Sequence, residues 1–344
     1  MKMKRLMFEG PRKLTIQEIP EAELKPNDVQ LKSLYSAISH GTEMNVYRGV
    51  APMYSRRQDG ETKLFLESDK PTWSYPMPYG YTLVGRVTKI GTAVTKVKVG
   101  DNVFCYEPHG TGAVLNENAL IKIPADINPK MAVFNANLNT AFNGILDARI
   151  LLGDNVVIFG QGVIGLFALL MAKKSGAGKV VVVDMIDQRL ALAQEFGADV
   201  TINPTKVKDV ALEIKRATGN RGADVAIELS GSDRALHEAI RCVVYNGTVI
   251  IMSWYPGSLS NVQLAGEFHH NRVRLIGSQV GGINPEIANR WTFERRQEQV
   301  WEFMREFDLQ RLITNEMPFE KAAEAYDLVD HKANEIVQVM LKYD

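Results

Sequence analysis

At 344 residues the chain exceeds what one compact core usually holds, which predicts two domains. Forty Lys+Arg balance forty Asp+Glu, so no net field invites nucleic acid or an anionic membrane as partner; 45% hydrophobic and 23% charged residues are the balance of an ordinary folded protein. Two distant cysteines, Cys105 and Cys242, exclude a disulfide framework and a four-cysteine metal lobe, and with no signal-peptide pattern after Met1-Lys2-Met3-Lys4-Arg5 the expected compartment is the cytoplasm.

From Lys2 to about Pro124 the pattern is of short strands separated by turns. Asp28-Val-Gln-Leu-Lys-Ser-Leu-Tyr and Leu83-Val-Gly-Arg-Val-Thr-Lys-Ile are examples, and Gly100-Asp-Asn-Val-Phe is a turn entering a strand. Between them, Ala51 to Pro78 is longer than a strand connection requires and carries Tyr54, Arg56, Arg57, Lys63, Trp73 and Tyr75. Segments of that length are usually functional or disordered, and Trp73 is the candidate to stack on a substrate ring. Near Met131 the rhythm turns helical. Strands at Asn155–Phe159, Val180–Val183, Thr201-Ile202, Asp224–Leu229 and Thr248–Met252 then alternate with helices starting near Val163, Gln188, Val207 and Ala235. Near-continuous apolar strands alternating with helices predict a parallel sheet covered on both faces. After Pro285 the chain is helical and charged, and it ends in a strand-like Ile336-Val-Gln-Val-Met-Leu-Lys-Tyr expected to rejoin the first half. The longest uncharged run, Asn155 to Ala172, is interrupted by Gly160-Gln161-Gly162 and falls short of the roughly 20 apolar residues that span a bilayer, so no membrane segment is expected.

Gly160-Gln161-Gly162-Val163-Ile164-Gly165 is the sharpest signal. Alone the spacing is weak; here it follows a strand and opens an apolar helix, the context that dinucleotide binding demands. Gly160 permits the turn, Gly162 lets backbone approach a pyrophosphate, and Gly165 lets helix and strand pack closely, while the amides at Val163 and Ile164 face the negative charge. The second strand ends in Asp184, placed to accept hydrogen bonds from the adenosine ribose and to repel a 2′-phosphate. NAD rather than NADP is therefore expected, with Arg189 packing beside the ribose or adenine. Ser230 and Ser253 stand at the carboxyl ends of later strands, where an open sheet binds ligands, and complete the expected cofactor contacts.

Gly80-Tyr-Thr-Leu-Val-Gly-Arg-Val, Gly100-Asp-Asn-Val-Phe, Thr140-Ala, the glycine fingerprint and Gly197-Ala-Asp follow one another as in the medium-chain dehydrogenase/reductase family, which the whole chain resembles. Ser39-His-Gly-Thr-Glu, Pro78-Tyr-Gly-Tyr, Phe268-His-His-Asn-Arg and Gly277-Ser-Gln-Val-Gly are similar to the branch that includes bacteriochlorophyllide hydroxyethyl dehydrogenases. The resemblance implies an α/β protein with a GroES-like, β-rich catalytic domain (1–130 and 284–344) and a Rossmann doubly wound parallel-sheet domain (131–283). It implies cofactor contact at Thr140 and a homodimer paired through the strand region Arg272-Val-Arg-Leu-Ile-Gly.

The departures from the family are informative. Zinc alcohol dehydrogenases take a first ligand from Cys-Gly-Thr-Asp, where this chain reads His40-Gly41-Thr42-Glu43. Their Gly-His-Glu reads Gly80-Tyr81-Thr82, and the third ligand position falls in Asn135-Ala136-Asn137. Tyrosine, threonine and asparagine do not make a tetrahedral zinc site, so no metal is expected at the usual place. A rearranged set of His40, His109 and Glu43 or Glu107 is the alternative. Without a metal, hydride transfer needs side-chain donors for the substrate oxygen and a path for one proton. Tyr81 is the expected donor and His40, with an ordinary pKa of about 6.5, the acid–base group; Thr42 occupies the family's proton-relay position. Asn137 and His109 are expected to touch substrate.

The reading is thus an NAD-dependent oxidoreductase acting on a secondary alcohol or ketone of a sugar, cyclitol or other polyol. Its rivals are an enone or quinone reductase, against which Asp184 argues, and an inactive NAD-binding sensor.

Overall fold

Runs of β-branched residues are stiff at χ1 and pack well on a pleated surface, and this chain places three of them at the centre of a sheet. The computed structural model describes residues 2–344, which divide into two compact units: residues up to Ala136 together with Met304–Asp344, and Asn137–Phe303.

In the second unit six parallel strands lie in the order Val200–Ile202, Lys179–Val183, Asn155–Phe159, Ala223–Glu228, Val243–Ile251, Arg274–Gly277. This is the doubly wound order in which connections run outward in both directions from the first strand, and it defines a Rossmann unit. Val156 to Phe159 and Val180 to Val183 are buried along their whole length. Against them pack Ile214, Leu236 and Ile240 from the flanking helices. At roughly 1.5–3 kcal/mol for each fully buried branched side chain, it is this packing that fixes the loops at the strand ends. The helix expected near Val207 starts at Val210, because Asp209 accepts the Leu212 amide (2.9 Å). The helix expected near Ala235 starts at Asp233, because Ser232 caps the Ala235 amide (3.4 Å). The strand expected at Thr248 begins five residues earlier, at Val243. Asn246-Gly247, which has the composition of a turn, lies inside the strand where its register against Ala223–Glu228 shifts. Residues 284–303, given to the catalytic domain by sequence, count with the Rossmann unit: buried Arg296 donates to Asn139 Oδ1 (3.2 Å) and Asn143 Oδ1 (2.6 Å), and Trp291 packs on Phe142.

The first unit is organised around the strand Asp28–Ala37, which pairs antiparallel with Leu83–Ile90, Gly112–Asn116 and the terminal strand Gln338–Lys342. The chain's last strand thus rejoins the first half of the chain, in the sheet built on Asp28–Ala37, as the sequence predicts. Val29, Leu31, Leu83, Val87, Val103 and Cys105 form the core under this sheet. The segment 51–78 holds a short exposed hairpin, Arg56–Gln58 with Phe65–Glu67, and an aromatic group in which Tyr54 stacks on Tyr75 (4.6 Å). Among the described residues no helix is long and apolar enough to cross a membrane.

Candidate active site

The Rossmann unit supplies a phosphate-sized cradle. Gly160 sits at φ +92°, and a Cβ there would lie 2.9 Å from the Ser230 backbone; a Cβ at Gly165 would lie 1.9 Å from the Gly160 carbonyl oxygen. Both positions therefore admit only glycine. Gly162 differs: a Cβ there would meet nothing within 4 Å, and no side chain caps the helix Val163–Lys174 that follows. Uncapped first-turn amides beside an open position are a donor set suited to a pyrophosphate. Asp184 directly follows the strand Lys179–Val183, with Oδ2 accepting the Gln161 amide (2.6 Å) and Oδ1 the Ile186 amide (2.8 Å). The carboxylate is thereby locked beside the glycine turn with acceptor capacity left over. Half-buried Arg189 lies alongside; burial lowers its pKa and Asp184 opposes that shift.

Ser230 and Ser253 meet through a residue that sequence reading passed over. Glu228, fully buried at the end of its strand, accepts Ser230 Oγ (2.5 Å) and the Ser230 amide (2.7 Å), and also the hydroxyl of Tyr255. Ser253 Oγ accepts the Gly231 amide (2.9 Å). The signal available was an acid ending an otherwise apolar strand. Thr140 and Asn137 are half-buried on the helix Asn135–Ala148, in the Rossmann unit's share of it.

The acid–base candidates lie in the first unit. Thr82 Oγ1 donates to the Ala37 carbonyl (2.6 Å) and accepts the Ala37 amide (2.9 Å), tying the segment that carries Tyr81, just before the strand Leu83–Ile90, to the strand end that leads into the Ser39–Glu43 turn. The side chains of Ser39 and Thr42 in that turn act on the Tyr81 phenol and work against the rise in its pKa. Burial first, and then the charge of Glu43, push the Tyr81 phenol well above the ordinary tyrosine range, so it holds its proton. Half-buried His40 lies between Ser39 and Thr42 in the same turn. Gly80, at φ +125°, has His109 where a Cβ would go, 2.8 Å from ring Cδ2. Trp73 is half-buried, edge-on to Tyr79 (5.1 Å) and Tyr54 (6.2 Å).

His109, expected at the substrate, is fully buried. Its Nε2 lies 2.9 Å from Glu43 Oε2 and its Nδ1 2.7 Å from Ser36 Oγ. Both ring nitrogens are engaged within the protein, so His109 acts on Glu43 and not on a substrate.

The family model for a zinc-binding dehydrogenase matches residues 163–294. D-guloside 3-dehydrogenase of Escherichia coli (strain K12) is 32% identical over 334 residues, covering 94% of this chain and 95% of that protein. Sorbitol dehydrogenase of Rattus norvegicus is 26% identical, covering 98% and 95%. The crystal structure of 2R,3R-butanediol dehydrogenase from Bacillus subtilis superposes with a TM-score of 0.81 at 20% identity over 99% of this chain and 100% of that one.

The residues at the positions expected to ligate zinc, His40, Tyr81 and Asn135 to Asn137, do not form a tetrahedral donor set. Among the described residues no group of three or more His, Cys, Asp or Glu is gathered to hold a metal ion. Glu43 and His109, which a rearranged site would need, spend their polar atoms on each other and on Ser36, Ser39 and Tyr326. Glu107 is half-buried, and burial raises its pKa.

Proposed function

The chain belongs to the medium-chain dehydrogenase/reductase family, in its alcohol dehydrogenase-like part, and from that membership we propose that it is an NAD-dependent oxidoreductase acting on a secondary hydroxyl of a sugar, glycoside or other polyol. The cofactor reading is carried by Asp184. Its carboxylate, held against the glycine turn by the Gln161 and Ile186 amides, accepts from ribose hydroxyls and repels a 2′-phosphate. Gly162 and the amides of Val163 and Ile164 would hold the pyrophosphate, with Ser230, Ser253 and Thr140 as further contacts. When bound, the nicotinamide supplies the hydride acceptor.

The substrate class is supported by relatives named for a guloside, sorbitol and a butanediol, all of which present secondary hydroxyls. In the acid–base part Tyr81 Oη donates a hydrogen bond to the substrate oxygen, and the alcohol proton passes to Thr42 Oγ1 as Thr42 gives its own proton to the His40 imidazole. No step runs through a metal. Trp73, beside Tyr79, gives a flat apolar face suited to a sugar ring. The chain's Arg274–Gly277 strand is one edge of the parallel sheet, and pairing of that edge across a two-fold would give the proposed homodimer.

The test is NAD reduction over a panel of methyl glycosides, D-sorbitol and 2,3-butanediol, run in parallel with NADP. Turnover of a glycoside or polyol with NAD supports the reading. Reduction of quinones or enals with NADPH, or NAD binding with no turnover of any alcohol, would replace it.

A further inference from the structure

Glu43 and His109 have no part in the reaction as proposed, yet both are 0% exposed. Enclosing a carboxylate and an imidazole costs several kcal/mol unless every polar atom finds a partner, and breaking such a pair later is strongly destabilising. Here every atom does find one. Glu43 Oε2 accepts from Tyr326 Oη and from His109 Nε2 (2.9 Å), while Oε1 accepts the Ser39 amide (3.1 Å). A carboxylate oxygen only accepts, so the His109 proton sits on Nε2. With a neutral ring, Nδ1 then accepts from Ser36 Oγ (2.7 Å), and Ser36 accepts from Tyr343 Oη (2.8 Å). Three donors, two of them from distant stretches of the chain, thus point toward one carboxylate.

The free end of this arrangement is aimed at the candidate active site. Glu43 holds the Ser39 amide and follows Thr42 in its helix, and Ser39 and Thr42 are the two residues of this turn whose side chains act on the Tyr81 phenol. Gly80 admits His109 at a spot any side chain would fill, which seats Tyr81 next to the network.

We propose that Glu43 and His109 form a buried positioning pair that anchors the Ser39–Glu43 turn and thereby holds the Tyr81 hydroxyl as a fixed donor to the substrate oxygen. The idea rests on Tyr81 being that donor. The pair makes no contact with the reacting atoms and acts through Ser39 and Thr42. The charged and titratable groups facing Glu43 are His109, Tyr79, Tyr81, Tyr326 and Tyr343. Glu43→Gln keeps an acceptor for Ser39 but turns an N–H toward the donors of His109 and Tyr326, which reverses the polarity at constant shape.

The experiment is a double-mutant cycle between Glu43→Gln and Tyr81→Phe on the full-length protein, assayed with NAD and whichever of methyl α-D-glucopyranoside and D-sorbitol the wild type oxidises. E43Q is expected to lower kcat about 10–100-fold while leaving the alcohol KM and the NAD dissociation constant within about twofold. In the Y81F background it should cost no more than about twofold further, since the pair works through a hydroxyl already removed. Glu43→Asp should recover part of the loss. Losses that multiply, or an E43Q enzyme with wild-type kcat, would overturn the proposal. Tyr326→Phe removes one donor while keeping the ring, so it covers the case in which E43Q does not fold; it should show a smaller loss that also disappears in Y81F. A substrate-free arm follows tyrosinate absorbance against pH as the difference between each protein and its Y81F counterpart. Tyr81 should ionise at lower pH in E43Q than with Glu43 present, and an unmoved transition contradicts the pairing. Wild-type activity in Y81F, by contrast, would remove Tyr81 as donor and so the catalytic reading on which the pair depends.

Discussion

The nucleotide turn and the Tyr81 turn are built from opposite materials. Around Gly160 the contacts are backbone to backbone or backbone to carboxylate: Gly160 against Ser230, Gly165 against Gly160, Gln161 and Ile186 on Asp184. Shape decides there, because a methyl group has nowhere to go. In the network beside Tyr81 most contacts are side chain to side chain, through Ser36, Glu43, His109 and Tyr326, and polarity decides. The lesson is that the first region should be sensitive to added volume and the second to isosteric changes that remove a single proton or charge.

Three substitutions probe that contrast, in order of expected effect. Tyr81→Phe removes one hydroxyl and should lower kcat about 10²–10³-fold, the usual loss for one donor at a developing oxyanion, with NAD affinity unchanged. Steady-state kinetics and calorimetric NAD titration read the two halves separately. Gly165→Ala does the reverse: a Cβ 1.9 Å from the Gly160 oxygen forces the turn open, and NAD binding should weaken about 10–100-fold. Asp184→Ser leaves the turn's volume alone and changes only charge and acceptors, so the preference for NAD over NADP should fall by about tenfold in kcat/KM. An unaltered preference would break the contrast at its nucleotide end.

The smallest effect lies away from both turns. Burial alone would raise the Asp330 carboxyl, but Arg48 (2.7 Å) and Arg12 (2.8 Å) hold its pKa below the usual range. A carboxyl depressed on folding stabilises fully above its unfolded pKa, and that contribution is lost as pH falls through the lower folded value. Asp330→Asn should therefore lower the melting temperature at neutral pH, with the gap to wild type closing on acidification. A gap that persists at acid pH would mean that packing, and not charge, is what Asp330 contributes.

How far each region could be read from sequence follows from the same contrast. The glycine turn is contiguous, flanked by Val156–Phe159 and by the apolar helix after Gly162, and Asp184 follows at a fixed interval, so local pattern identifies it. The element ends that differ, Val210, Asp233 and Val243, were set by caps and by a register shift against a distant strand. The Tyr81 network had no such local trace. Glu43 stands in the segment Ser39-His-Gly-Thr-Glu, but its burial depends on Tyr326, 283 residues away, and on His109, 66 residues away. Glu228 was hidden in the same manner, since its partner Tyr255 comes from beyond the next strand. Proline, valine and glycine impose local geometry that spacing reveals, whereas a side-chain hydrogen bond exists only once the sheet has brought its ends together.

The central claim is that side chains, in a fold whose relatives include zinc-binding dehydrogenases, hold the alcohol oxygen while NAD takes the hydride. Its most direct test is NADH formation from the best glycoside or polyol before and after exhaustive chelation, with zinc quantified in the same samples. The account predicts undiminished turnover by protein carrying far less than one zinc per chain. Loss of activity together with one zinc per chain, and its return when zinc is added back, would contradict it.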